Sequence, residues 1–218
     1  MTFSLGSTPR SLVKYNDQSI SAITEVGSGA GLTDDMVLIR ELTASSSATL
    51  DFVDGADDVV LDNTYPTYLF KFISIHPSAS SYLAYNTSVD GGSNYADTKT
   101  ATFFIAYNGE SASPNLHVDG ADNRDIAQST GDVHLTPSVG TDNDQSCSGH
   151  LWLYNPSSTT YVKNFMAIVN TYTGDDYSQE VFSAGYSNTT SAVDAVRFKM
   201  SSGNIDTGTI KLYGLKDS

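Results

Sequence analysis

A chain of 218 residues with one cysteine, Cys147, cannot hold an intrachain disulfide, so its stability must come from packing. Charged residues are scarce at 17%, against an ordinary share of about 25%. Basic residues are scarcer still, 11 against 25 acids, and the formal net charge is -14. That balance repels phosphate backbones and anionic membranes, so no nucleic-acid partner is expected. No apolar run approaches the roughly 20 residues that span a bilayer, and no membrane insertion is expected. Met1 to Lys14 lacks a charged segment followed by an apolar one, so no secretory leader is read there. These absences predict a soluble protein made in the cytosol.

What takes the place of charge is Ser, Thr, Asn, Gly and Tyr, with 13 tyrosines beside a single Trp. This vocabulary suits short strands with hydroxyl-bearing outer faces and tight turns. From Met36 onward, strand follows strand: 37–42, 49–53, 68–75, 82–85, 102–107, 151–154, 165–172 and 179–186. Turn clusters such as Asp54-Gly55, Asp90-Gly91-Gly92 and Asn108-Gly109 separate them. Tyr68, Phe70 and Phe72 alternate with Leu69, Ile73 and Ile75, so that strand is apolar on both faces and reads as central or subunit-facing. Arg197 to Leu215 reads as a terminal hairpin with Gly203-Asn204 in its loop. Val196, Phe198 and Met200 share one face of its first strand, Ile210 and Leu212 one face of its second.

Nine or ten strands and no helix of ten residues in the body predict an all-β, antiparallel β-sandwich, with a jelly roll fitting the count and long crossovers best. An immunoglobulin-like sandwich fits less well, because the chain is longer and has no Cys-Trp-Cys framework. The Asp-rich stretch 110–148 reads as one long polar loop. Residues 1–35 read as an N-terminal arm or linker ahead of the 36–218 domain, with scattered apolar residues and a flexible Gly27-Ser28-Gly29-Ala30-Gly31 end. The arm either docks on a neighbouring subunit or particle or is a plain leader.

Two similar turns, Val53-Asp54-Gly55-Ala56-Asp57 and Val118-Asp119-Gly120-Ala121-Asp122, place Asp54, Asp57, Asp119 and Asp122 as candidate Ca²⁺ ligands, with Asp58 and Asp125 nearby. Their spacing departs from the helix-flanked calcium loop, and Asx hydrogen bonding with positive φ explains them as structural turns, the reading favoured over metal. The four histidines, His76, His117, His134 and His150, stand singly. Cys147 and His150 form one C-x-x-H pair without the partners zinc requires. No cofactor is expected. No nucleophile elbow or phosphate loop occurs, so the chain reads as a non-enzyme. Trp152 and Tyr154, or Tyr82 and Tyr85, are the side chains that could stack on sugar rings, although alternate strand positions default to core. The sequons at Asn86 and Asn188 carry no weight without a secretory route.

The terminal run R-F-x-M-S-S-G-N-I-x-x-G-T-I-x-L-Y-G resembles the C-terminal ends of virion surface proteins of tailed bacteriophages. Tyr68 to Ser78, Thr87 to Tyr95 and Leu151 to Thr159 are similar to segments of the same group, which is commonest in phages of marine bacteria and cyanobacteria. The resemblance covers roughly residues 37–215. It implies a structural component of the virion, decorating the capsid exterior or forming part of the tail, with other virion proteins as partners and a homotrimer as its form. Alternatives are a tail module that binds a host receptor or surface glycan, and a polysaccharide-degrading tail enzyme. No site residues come with the resemblance.

Overall fold

In the computed structural model, which describes residues 35–118 and 124–216, the chain forms thirteen strands. They are β1 (Met36–Ser47), β2 (Leu50–Val53), β3 (Thr67–Pro77), β4 (Leu83–Ser88), β5 (Lys99–Gly109), β6 (Asn115–Val118), β7 (Ile126–Ser129), β8 (Val133–His134), β9 (Cys147–Tyr154), β10 (Lys163–Tyr172), β11 (Tyr177–Ser187), β12 (Ala195–Met200) and β13 (Ile205–Leu215). The arm read over residues 1–35 lies, but for Asp35, outside the described residues.

Every strand pairing is antiparallel, and the strands form two sheets. The small one runs β2-β12-β4-β8, and the large one begins β1-β13-β3-β9. Taken in chain order, those eight strands trace the jelly roll: the chain crosses between sheets at β1/β2, β2/β3, β3/β4, β8/β9, β9/β12 and β12/β13, and returns within the small sheet at β4/β8. Two excursions, β5 to β7 and β10 to β11, widen the large sheet to β9-β10-β11-β5-β6, with β7 also on β5. The expected sandwich is present, with one sheet much broader than the other.

Three details of the sequence reading change. The terminal segment is not a hairpin. β12 bonds to β2 and β4, β13 bonds to β1 and β3, and the two face each other across the core. The loop between them is tied to another turn: Ser78 N–H donates to Asn204 O at 2.9 Å, and Ser201 N–H to Tyr82 O at 2.9 Å. Alternation reveals which face of a strand is apolar, and it is silent on which strand lies alongside. Second, β3 does not keep Leu69, Ile73 and Ile75 together. Ser74 adopts φ +50° at a bulge, so Ile75 turns into the core while Ile73 stays exposed. Third, the polar stretch 110–148 contributes β6, β7 and β8 and buries Ile126, Val133, Leu135 and Val139. Those apolar residues arrive too sparsely for a period-2 signal.

The core is aromatic at its centre. Phe198 lies 5.1 Å from Phe72, 5.2 Å from Phe70, 5.9 Å from Tyr85 and 6.3 Å from Phe52, ring centre to ring centre. It therefore joins both sheets through one side chain, and edge-on packing adds to its buried area. Phe198→Ala is expected to cost about 3–5 kcal/mol of unfolding free energy. Urea titration would measure it, and a loss under about 1 kcal/mol would show that the site collapses around the missing ring.

Candidate functional site

Strand register shows what lies on the outer face of the wide sheet. One row runs Leu38, Tyr213, Leu69, Trp152, Met166, Ala184 across six strands. The next runs Glu41, Lys211, Lys71, His150, Ile168, Phe182, Phe104, Val118. The second row is charged at the β1 edge, where Lys211 Nζ meets Glu41 Oε2 at 2.9 Å, and apolar at the β6 edge. There Phe104 and Phe182 stack with ring centres 4.7 Å apart and planes 6° from parallel. Met36, Leu38, Phe104, Leu116, Val118 and Met166 are between 42% and 72% exposed, an unusual concentration of large apolar groups on one face.

Trp152 and Tyr154 belong to this face. Leu151 and Leu153 take the inward positions of β9 and are fully buried, which turns their neighbours outward. The core default considered for that pair is therefore corrected. His150 packs edge-on to Trp152 at 5.6 Å, and Tyr154 Oη reaches Met166 Sδ at 3.9 Å. Tyr154, Met166, Tyr186, Asn164, Thr100 and Thr102 border a shallow cleft of about 490 Å³. Burial, with Lys71 adding charge repulsion, lowers the His150 pKa below the usual imidazole range. The alternative pair divides: Tyr85 is buried in the core, whereas Tyr82 stacks on His134 at 4.7 Å.

A second concavity opens on the opposite face of β5 and β11, past the end of the small sheet. It measures about 550 Å³ and is lined by Tyr107, Tyr177, Arg124, Asp175, Gln179 and Ser138, among others. Gly109 lets the Tyr177 ring lie against the β5 backbone, since a Cβ there would sit 2.7 Å from that ring. The two tyrosines meet edge-on at 5.5 Å. No sequence signal marked this site, because its residues come from the β5 and β11 ends and four loops.

The aspartate candidates come apart. Asp54 Oδ1 accepts the Leu61 N–H at 2.8 Å and closes its own turn, with Gly55 at φ +75°. Asp57 lies 3.6 Å from Arg40, and Asp58 is exposed at φ +65°. Asp119 and Asp122 lie outside the described residues, while Asp125 Oδ1 accepts the Phe103 N–H at 2.7 Å. Cys147 is buried, and burial pushes its thiol up to about 12, where it is no nucleophile.

Among known proteins, no family model, no curated protein and no solved structure matches this chain.

Asp54→Ala is expected to lower stability by about 1–2 kcal/mol through the orphaned Leu61 N–H. Millimolar Ca²⁺ is expected to leave the melting midpoint of the unaltered protein unchanged. A rise in that midpoint, lost in Asp54→Ala, would reassign the turn as a cation site.

Proposed function

We propose that this protein is a non-enzymatic structural component of a tailed-phage virion, placed on the capsid exterior or the tail and assembled as a homotrimer with other virion proteins around it. The observation that carries the assembly is the apolar outer face of the large sheet. Exposed Phe, Leu, Val and Met side chains in register across several strands cost free energy in water and are covered in an assembled particle. The wording of the terminal strands and of the 68–78 segment, similar to phage surface proteins, supports the virion location. The acidic excess fits a particle surface carrying many copies and argues against a nucleic-acid partner.

A second reading, a host-glycan contact, is favoured by the outward pair Trp152 and Tyr154 beside their cleft. Aromatic faces and amide groups such as Asn164 are the chemistry that grips a sugar ring. Both roles can belong to one protein.

Light scattering at micromolar concentration and peptide mass spectrometry of purified particles test the first reading together. A trimer in solution and the chain in the particle are the expected results, and a monomer absent from particles overturns it. Trp152, the single Trp, adds a local readout: assembly through its face is expected to shield its fluorescence from acrylamide, and Met166→Asp to restore quenching. Glycan-array binding lost in Trp152→Ala or Tyr154→Ala would establish the second reading.

A further inference from the structure

Where the end of β4 meets the start of β5, an amine and a carboxamide are buried together. Lys99 is fully buried and Asn86 is 2% exposed. Lys99 Nζ donates to Asn86 Oδ1 at 2.6 Å, and the Thr87 N–H donates to the same oxygen at 2.8 Å. On the other side of the amide, Asn86 Nδ2 donates to Asp132 Oδ1 at 2.7 Å, and Asp132 Oδ2 lies 2.9 Å from Lys199 Nζ. Those contacts also fix the amide orientation, since a carboxylate accepts and an ammonium donates. The set has the parts of an acyl transfer: a nucleophile, an acyl carbon, a backbone donor on the developing oxyanion, and a carboxylate on the leaving nitrogen.

We propose that Lys99 and Asn86 join in a self-catalysed isopeptide bond, with Asp132 as the proton relay and the Thr87 N–H as the oxyanion donor. Lys99 first loses a proton to solvent. Its Nζ lone pair then attacks Asn86 Cγ, and the carbonyl electrons move onto Oδ1. One proton passes from Nζ to Nδ2 through the Asp132 carboxylate, the Cγ–Nδ2 bond breaks, and ammonia leaves. One N–C bond forms and one breaks, with no oxidant, reductant or cofactor.

Burial supports the nucleophile, because it pushes the Lys99 pKa down to about 8 despite the attraction of Asp97 and Asp132. The free amine fraction therefore rises steeply between neutral pH and pH 9. The other ionisable groups about this seam are Asp97, raised chiefly by burial; Asp132, held low by Asn86 and Lys199 although burial opposes it; Lys199; Tyr85; and Lys163. Lys163 is a built-in comparison. It is equally buried, but its Nζ faces only the backbone oxygens of Tyr161 and Thr189, at 2.9 and 3.0 Å, with no side-chain amide to lose.

Intact-mass and peptide-mapping spectrometry of the denatured full chain, after incubation at pH 9, tests the proposal. The expected mass is lighter than the sequence mass by one ammonia. Trypsin is expected to cut at Lys163 but not at Lys99, and a branched peptide joining Asn86 to Lys99 is expected. Asp132→Asn keeps both reactants and is expected to retain the ammonia, as is Lys99→Met. A chain of full mass cut at Lys99 overturns the proposal. So does the same ammonia loss on a linear peptide, which would be Asn86 cyclised on its own backbone with Lys99 free. Should the variants fail to fold, the unaltered chain alone still decides.

Discussion

The two sheets share one apolar layer but differ in width, and most of the molecule's particulars follow from that mismatch. β2, β12, β4 and β8 lie over β1, β13, β3 and β9 and reach β10, where Tyr85 meets Phe165 at 5.0 Å, and Phe198 marks the middle of the covered zone. Beyond β10, the inner faces of β11 and β5 need other cover. Part of it is a second small cluster of Phe103, Ile105 and Val181 with Tyr107 against it. Much of the rest is polar: Lys163, Ser187 and Lys99 form one row at one end, and Thr171, Gln179 and Tyr107 another at the opposite end. A buried polar group is costly without a partner, and the chain supplies partners to the first row, whereas Thr171 Oγ1 and Gln179 Oε1 of the second have none among the described residues. Thr87 Oγ1 and Ser187 Oγ meet at 3.0 Å, and each lysine reaches backbone or amide oxygens. The Lys99–Asn86 contact and the Tyr107–Tyr177 concavity are thus two ends of one structural problem.

The same mismatch decides the outer face. A jelly-roll sheet of four strands would offer little outside area, whereas the widened sheet presents one apolar row from Leu38 to Ala184 and a second that turns apolar from Ile168 to Val118. Their position relative to charge matters. Glu41 is paired with Lys211, and Lys71 and His150 follow in the same row, so the face carries little of the acidic excess. Many acids sit in turns instead: Asp57, Asp58, Asp62, Asp90, Asp142, Asp144 and Asp175 all lie outside the strands. Copies carrying net charge -14 repel at long range, but screening confines that repulsion to about 8 Å at physiological salt. Apolar contact can then prevail on this face.

Much of this architecture was legible because β-structure writes its faces into alternation. Leu151 and Leu153, Phe165, Ala167 and Val169, and Ile210 and Leu212 all alternate inward as their text implies. Pairing partners are a different kind of information. Phe198 sits opposite Tyr85 and Leu50, more than a hundred residues away, and Ile210 opposite Phe72 and Leu42; no local signal names them. The Gly203-Asn204 turn looks the same whether the chain returns beside itself or crosses to the other sheet. Ser74 is similarly opaque, since a bulge on a serine flips the register of Ile75 without a glycine to announce it. Trp152 and Tyr154 show the limit of alternation itself: it defines two faces, and the core takes the one that holds Leu151 and Leu153. Asn86 was visible only as a sequon, and its burial beside Lys99 depends on β4 and β5 lying in different sheets.

A bond at that seam would alter the mechanics of the sandwich more than its equilibrium packing. Apart from polar contacts such as Thr87 Oγ1 to Ser187 Oγ, the sheets are held by non-directional burial, which yields once water enters the layer. Asn86 belongs to the small sheet and Lys99 to the widened part of the large one, so a link between them spans the junction that burial covers least. By analogy with other cross-links, closing a loop of this size restricts the unfolded chain by about 3 kcal/mol. An amide is also indifferent to reducing conditions, which a disulfide is not. A chain with a single cysteine, Cys147, buried in the core, has no disulfide route to such a staple. Lysine and asparagine, desolvated by the same mismatch that made their seam polar, supply the alternative chemistry.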